Sequence, residues 1–204
     1  MCNQFCKSFV FADDVHLLFS GGNILSSFET SINDHLCEIS DWMLANNLSI
    51  NPTKTKAIQF FLSNHVVSHP NIYISGVSIQ YVDHLKCLGI YLDQKLNFYR
   101  HVSHISSKVF IILRRLYSIS SYMPKFVKKR VAYALLMSNI NYCIEIIAGS
   151  KINTLTRLEK VFNRILRFVY NLKICDHVTN SAIDFLACTA AFIIIGVVQP
   201  NILK

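Results

Sequence analysis

Glycine and proline are scarce in this chain, six and four residues in 204, and charged side chains make up only 16%. With 52% apolar residues, that scarcity excludes a flexible linker or a disordered tail and points to a folded chain rich in regular elements. The length suffices to bury the core of one ordinary domain or two small ones. No apolar run approaches the roughly 20 residues that a bilayer span requires. The most hydrophobic stretch, residues 187–198, is followed backwards to Asp184, so a buried helix or strand is expected there rather than a membrane span. Residues 1–10 mix Asn3, Gln4, Lys7 and Ser8 into their apolar positions, unlike a signal peptide. The seven cysteines, at 2, 6, 37, 87, 143, 175 and 188, include no C-x-x-C pair. An odd count without metal-ligand spacing argues against a disulfide framework or a structural zinc site, and for reduced thiols in an intracellular protein.

Acidic residues are few, and they are unevenly placed. Residues 1–99 carry five Lys/Arg against eight Asp/Glu, a net charge of −3. Residues 100–204 carry fifteen against four, a net charge of +11. A basic rear half joined to a mildly acidic front half suggests that the rear faces a polyanion, nucleic acid first and an anionic membrane surface second.

Hydrophobic spacing divides the chain into a strand-bearing front and a helical rear, with the change expected near residues 97–101. Residues 9–19 read as two short apolar strands around an Asp13-Asp14 turn, in a buried sheet. Leu25, Phe28, Ile32, Leu36, Ile39 and Met43 mark an amphipathic helix. Ser26 and Glu29 have the spacing of a capping box at its start, and Asn46-Asn47 supplies a stop. Trp42 is expected to pack at the helix end. Strands are expected over 57–62, 71–75 and 77–80, the last two joined as a tight hairpin through Ser75-Gly76, and over 86–92. Helices follow around 102–116, from Pro124 through Leu136, and around 155–172. His101 and His104 are read as surface or capping residues.

Adjacent carboxylates at the tip of a strand turn suit hard divalent cations, which take oxygen ligands. Two such ions can stabilise both the attacking and the leaving oxygen of a phosphoryl transfer. Taken alone the signal is weak, because an Asp-Asp turn is far more often just a solvated turn. The neighbouring motifs decide how much weight it carries. Phe11-Ala12-Asp13-Asp14 is followed by a helix bearing Asp41-Trp42-Met43, then by Asn46-Asn47-Leu48 and Asn51-Pro52-Thr53-Lys54-Thr55. Leu88-Gly89-Ile90-Tyr91-Leu92-Asp93 comes next, with Leu96-Asn97-Phe98 and His101. In order and spacing this series, over residues 9–117 and more weakly to about 173, resembles the reverse transcriptases of non-LTR retrotransposons.

The resemblance implies an α+β fold: part of a polymerase palm, antiparallel strands plus a helix, over residues 1–98, then a helical, thumb-like region over 99–175. A divergent apolar tail, 176–204, matches nothing in the family. It implies RNA-directed DNA polymerisation, with Mg2+ as cofactor and an RNA template, a DNA primer and deoxynucleoside triphosphates as partners. Asp13 and Asp14 take the metal-ligand positions of the aromatic-Ala-Asp-Asp motif. Lys54 takes the lysine of the Asn-x-x-Lys-Thr motif, where an amine beside departing pyrophosphate can supply charge and a proton. A solvated loop lysine is the plainer reading of Lys54. Leu88, Gly89 and Ile90 resemble the primer-grip hairpin, and equally a core strand whose glycine permits close packing.

The family also uses an earlier palm Asp, whereas the twelve residues before Asp13 contain no acid. The 204 residues by themselves are therefore expected to be inactive, with a non-catalytic nucleic-acid-binding relict as the alternative. Nucleic-acid contact is expected from Lys108, Arg114 and Arg115, from Lys128, Lys129 and Arg130, and from Arg157, Lys160, Arg164 and Arg167. The last four recur every three or four residues and so form one helical stripe. The plainer view of all these cations is the ordinary charged outer face of a helix.

Overall fold

The computed structural model describes residues 5–20, 25–61, 68–142 and 144–187. Helices and small two-stranded sheets make an α+β composition, in two compact units that divide between Asp83 and His84.

In the first unit, β1 (Cys6–Phe11) pairs antiparallel with β2 (Asp14–Phe19), Phe11 opposite Asp14. The two-residue loop is therefore Ala12-Asp13, and Asp14 opens the second strand. Ala12 takes a φ of 52°, a left-handed conformation that costs a residue with a Cβ about 1 kcal/mol. The base of the hairpin is anchored: Phe5, Leu17 and Phe19 pack on the Ile32, Leu36, Ile74 and Ile79 core. Its tip is not buried, against the sequence expectation. Phe9, Val10 and Phe11 are exposed, because no third strand or covering layer meets this two-stranded ribbon among the described residues.

Helix α1 (Leu25–Ala45) places Ile32 and Leu36 in that core. Glu29 serves a long-range contact instead of a capping box. Its carboxylate accepts the Asn71 N–H at 2.9 Å, and one turn later Asn33 accepts the Tyr73 N–H at 2.9 Å and donates to the Asn71 carbonyl at 2.9 Å. Side chains four apart on one helix face thus satisfy the edge of the next strand. The helix stops where Asn46-Asn47 indicated. Asn47 is left-handed (φ 58°), the Leu48 N–H reaches the Met43 carbonyl at 2.8 Å and the Asn47 N–H the Leu44 carbonyl at 3.0 Å, a Schellman end. Trp42 is 60% exposed and does not pack at the helix end.

The strand expected over 57–62 is only β3 (Lys56–Ala57), parallel to β6 (Gln80–Tyr81); Leu62 lies outside the described residues. Between them, β4 (Tyr73–Ile74) and β5 (Val77–Ser78) form the expected tight hairpin, with positive φ at both Ser75 and Gly76.

The second unit begins with a hairpin, not the single strand expected over 86–92. β7 (His84–Cys87) turns through Leu88-Gly89 into β8 (Ile90–Asp93). Strand gives way to helix between Asp93 and Tyr99, where the sequence change was expected, while β8 packs with α2 (Tyr99–Ser118). Helix α3 (Lys125–Val131) starts after Pro124, continues through a wider π-helical turn, Ala132–Met137, and ends in α4 (Ser138–Asn141). Then come α5 (Ile144–Ala148), α6 (Ile152–Tyr170) and α7 (Thr179–Ala187). Val102, Val109, Leu136, Ile165, Leu166, Phe168 and Val169 have no solvent exposure, each burial contributing about 1.5–3 kcal/mol. The apolar run 187–198 lies almost wholly outside the described residues. No helix among the described residues is long and apolar enough to cross a membrane.

Candidate metal and nucleic-acid site

Asp13 and Asp14 stand at the exposed tip of the β1–β2 hairpin, and neither carboxylate makes a hydrogen bond or ion pair among the described residues. As a donor set the pair fits a hard divalent cation, which takes carboxylate oxygens and completes its shell with water or phosphate. It is incomplete as a protein cage: no group of three His, Cys, Asp or Glu able to hold a metal occurs among the described residues.

Lys54 lies exposed on a one-turn structure that the sequence builds locally. Asn51 caps it, its Oδ1 accepting the Thr53 N–H at 3.1 Å, the Thr53 hydroxyl at 2.7 Å and the Lys54 N–H at 3.3 Å. Pro52 follows the cap, where its missing N–H costs nothing, and the Thr55 hydroxyl closes the turn on the Asn51 carbonyl at 2.9 Å. The Asn-Pro-x-Lys-Thr spacing therefore has a structural reason apart from chemistry: it makes a rigid capped turn that presents Lys54 to solvent.

Leu88 and Gly89 form the β7–β8 turn, with φ of 46° and 88°. Leu88 is exposed and Ile90 is buried. Tyr142, which sequence reasoning missed, braces the tip: its hydroxyl donates to the Leu88 carbonyl, and its ring lies where a side chain on Gly89 would project. The joint to α2 is held by Asp93, whose carboxylate accepts the N–H groups of Lys95 at 3.1 Å, Asn97 at 3.0 Å and Phe98 at 2.8 Å. His101 corrects another expectation. It is buried, its Nδ1 facing the Tyr91 N–H at 3.5 Å, and burial together with neighbouring His104 lowers its pKa.

The expected phosphate-binding cations divide into two kinds. Lys108, Arg114 and Arg115 are exposed on α2, the two arginines lining a shallow depression with Ile111 and Ser118. Arg130, Lys160 and Arg164 are exposed as well, and Arg157 and Arg167 half-buried. Lys128 is not available to a phosphate: it is 3% exposed, and its ammonium donates to Asn171 Oδ1 at 2.7 Å. Lys129 is drawn into a cluster with Asp184 Oδ2, 2.9 Å away, which also accepts the Tyr170 hydroxyl at 2.6 Å. Arg167 bonds the Lys173 and Ile174 carbonyls after the end of α6. Helical spacing identified the stripe but not which of its members the fold engages, since those partners come from distant segments.

Three curated relatives resemble the chain. It is 25% identical over 162 residues, 78% of its length, to a probable RNA-directed DNA polymerase from the transposon X-element of Drosophila melanogaster. Over 95 residues it is 32% identical to the RNA-directed DNA polymerase from the mobile element jockey of D. melanogaster, and 27% identical to the jockey polymerase of D. funebris. The similarity to non-LTR retrotransposon polymerases thus stands on three proteins as well as on the motifs. The chain spans 18% of the X-element polymerase and 10% of each jockey polymerase. No family model and no solved structure matches.

Proposed function

We propose that this chain is a palm-and-thumb portion of a retrotransposon RNA-directed DNA polymerase, acting inside the cell on an RNA template, a DNA primer and deoxynucleoside triphosphates. Residues 1–98 are the palm portion, 99–175 the thumb and 176–204 an added tail. The observation that carries this reading is the pair of unpartnered carboxylates, Asp13 and Asp14, on a hairpin tip in a chain similar to polymerases of this kind. These two residues would hold Mg2+, which when bound neutralises the charge that develops on phosphate oxygens. In the whole polymerase, the amine of Lys54 would protonate the departing pyrophosphate, and the braced Leu88-Gly89-Ile90 tip steadies the primer end. Exposed cations on α2 and α6 neutralise backbone phosphates without reading sequence.

In this reading the 204-residue chain by itself binds template–primer without extending it. A second reading, a non-catalytic nucleic-acid-binding module, rests on the exposed cations of α2 and α6, which can hold phosphates without any metal. Poly(rA)·oligo(dT) tests both, with binding followed by fluorescence anisotropy and extension followed with labelled thymidine triphosphate. Binding without extension is expected. Magnesium-dependent extension by the purified chain would show that inactivity is wrong, and no binding at low salt would sink the nucleic-acid reading altogether. Binding unchanged by Asp13→Asn and Asp14→Asn, with metal bound equally by both forms, selects the non-catalytic module.

A further inference from the structure

Along α2, Tyr99, Ser103, Ser106, Phe110, Arg114 and Tyr117 recur at steps of three and four, so they make one line on the helix. Along α6, Arg157, Lys160, Arg164 and Arg167 make another. Packing of α2 on α6 brings these lines together. The Arg157 guanidinium lies 5.2 Å from the Tyr99 ring centre and donates to its hydroxyl at 2.8 Å. The Arg164 guanidinium lies 5.8 Å from the Phe110 ring centre. Tyr117 meets buried Phe168 edge-on at 5.3 Å, and burial raises its pKa against the opposing charges of nearby Arg164 and Arg167.

The rings are not consumed by these contacts: Tyr99 is 55%, Phe110 40% and Tyr117 49% exposed. Charge along the seam has one sign. α2 carries Arg100, Lys108, Arg114 and Arg115 and no acid, and α6 has Glu159 as its one acid beside four arginines and lysines. A double helix needs only the cations, since its base faces are stacked inside. Exposed rings alternating with guanidinium groups match a strand whose bases are unpaired, where phosphates meet the cations and base faces meet the rings.

Resting on the thumb reading above, we infer that the α2–α6 seam is a stacking platform for single-stranded nucleic acid, with Tyr99 and Phe110 receiving bases and Arg157, Lys160 and Arg164 holding the backbone. The test uses the full chain and three fluorescein-labelled probes: dT20, an abasic 20-mer of equal charge, and a 20-base-pair duplex. Stacking requires dT20 to bind at least tenfold more tightly than the abasic strand. It also requires Tyr99→Leu with Phe110→Leu to weaken dT20 at least tenfold while duplex affinity stays within twofold. The abasic comparison needs no variant, so it stands even if the double substitution disturbs the fold. Equal affinity for dT20 and the abasic strand overturns stacking while leaving electrostatic nucleic-acid binding intact. No affinity for any probe overturns the thumb reading as well. Tighter binding to phosphatidylserine vesicles than to dT20 also overturns the inference.

Discussion

Replacing Gly89 by alanine tests how firmly the β7–β8 tip is held. Gly89 has a φ of +88°, where a Cβ costs about 1 kcal/mol. That Cβ would stand 3.3 Å from Cε1 of Tyr142, tighter than ordinary contact. The ring cannot simply swing away, because its hydroxyl is bonded to the Leu88 carbonyl. Crowding of this kind adds about 1 kcal/mol, for a total of about 2 kcal/mol. At roughly 4 °C per kcal/mol for a unit of this size, Gly89→Ala should lower the unfolding temperature of the second unit by about 8 °C, read by circular dichroism. In a Tyr142→Ala background the crowding vanishes and the cost should fall to about 1 kcal/mol. An equal cost in both backgrounds would mean that Tyr142 does not brace this turn, and the rigidity ascribed to the primer-grip-like tip would be withdrawn.

Four further outcomes follow from the cations, Asp184 and Tyr170. Lys128→Ala should cost about 1 kcal/mol in denaturant unfolding, because the hydrogen bond to Asn171 is lost while water can replace it at that exposed residue, yet leave nucleic-acid affinity unchanged; an affinity loss without destabilisation would contradict the burial of Lys128. Neutralising Arg157, Lys160 and Arg164 together should flatten the slope of log affinity against log salt by about 2 for a single strand, and an unchanged slope would remove these residues from the interface. Hydrogen bonds from Tyr170 and Lys129 hold the Asp184 carboxyl below its ordinary value, so its contribution is complete above pH 3.8 and lost as pH falls further; Asp184→Asn should flatten that acid limb of thermal stability. Burial, then the bond to Asp184, pushes Tyr170 up to about 12, so its contribution is complete below pH 10 and lost as pH rises through 12, and Tyr170→Phe should remove that alkaline loss.

Much of the fold was legible because its signals are local. The Asn46-Asn47 stop, the Ser75-Gly76 hairpin, the Asp13-Asp14 hairpin and the three long helices each depend on residues within a few positions of one another. What escaped depends on distant partners. Glu29 was assigned to its own helix end because S-x-x-E is a local pattern, whereas Asn71 lies 42 residues away. Lys128 reads as one more surface cation from its own helix, and the residue that receives it, Asn171, lies 43 positions away. Leu88-Gly89 sits in an apolar stretch, so periodicity alone reads 86–92 as one strand; the turn there is indicated only by the resemblance to a primer-grip hairpin, and by a glycine flanked by strand-forming residues. Burial of the first hairpin was inferred from its apolar side chains, but burial also requires a covering layer, and composition cannot supply one. For the site, sequence indicated the residue types and their order, while the aromatic partners of the α6 stripe became visible only when α2 was packed beside it.

The claim that Asp13 and Asp14 form a divalent-cation site is tested most directly by adding substoichiometric Mn2+ to the 15N-labelled chain and following paramagnetic broadening of each amide signal. Broadening centred on Ala12, Asp13, Asp14 and Val15, and abolished by Asp13→Asn with Asp14→Asn, is the expected result. Broadening centred on other acids, such as Asp34 and Glu38, or undiminished in the double variant, would contradict it.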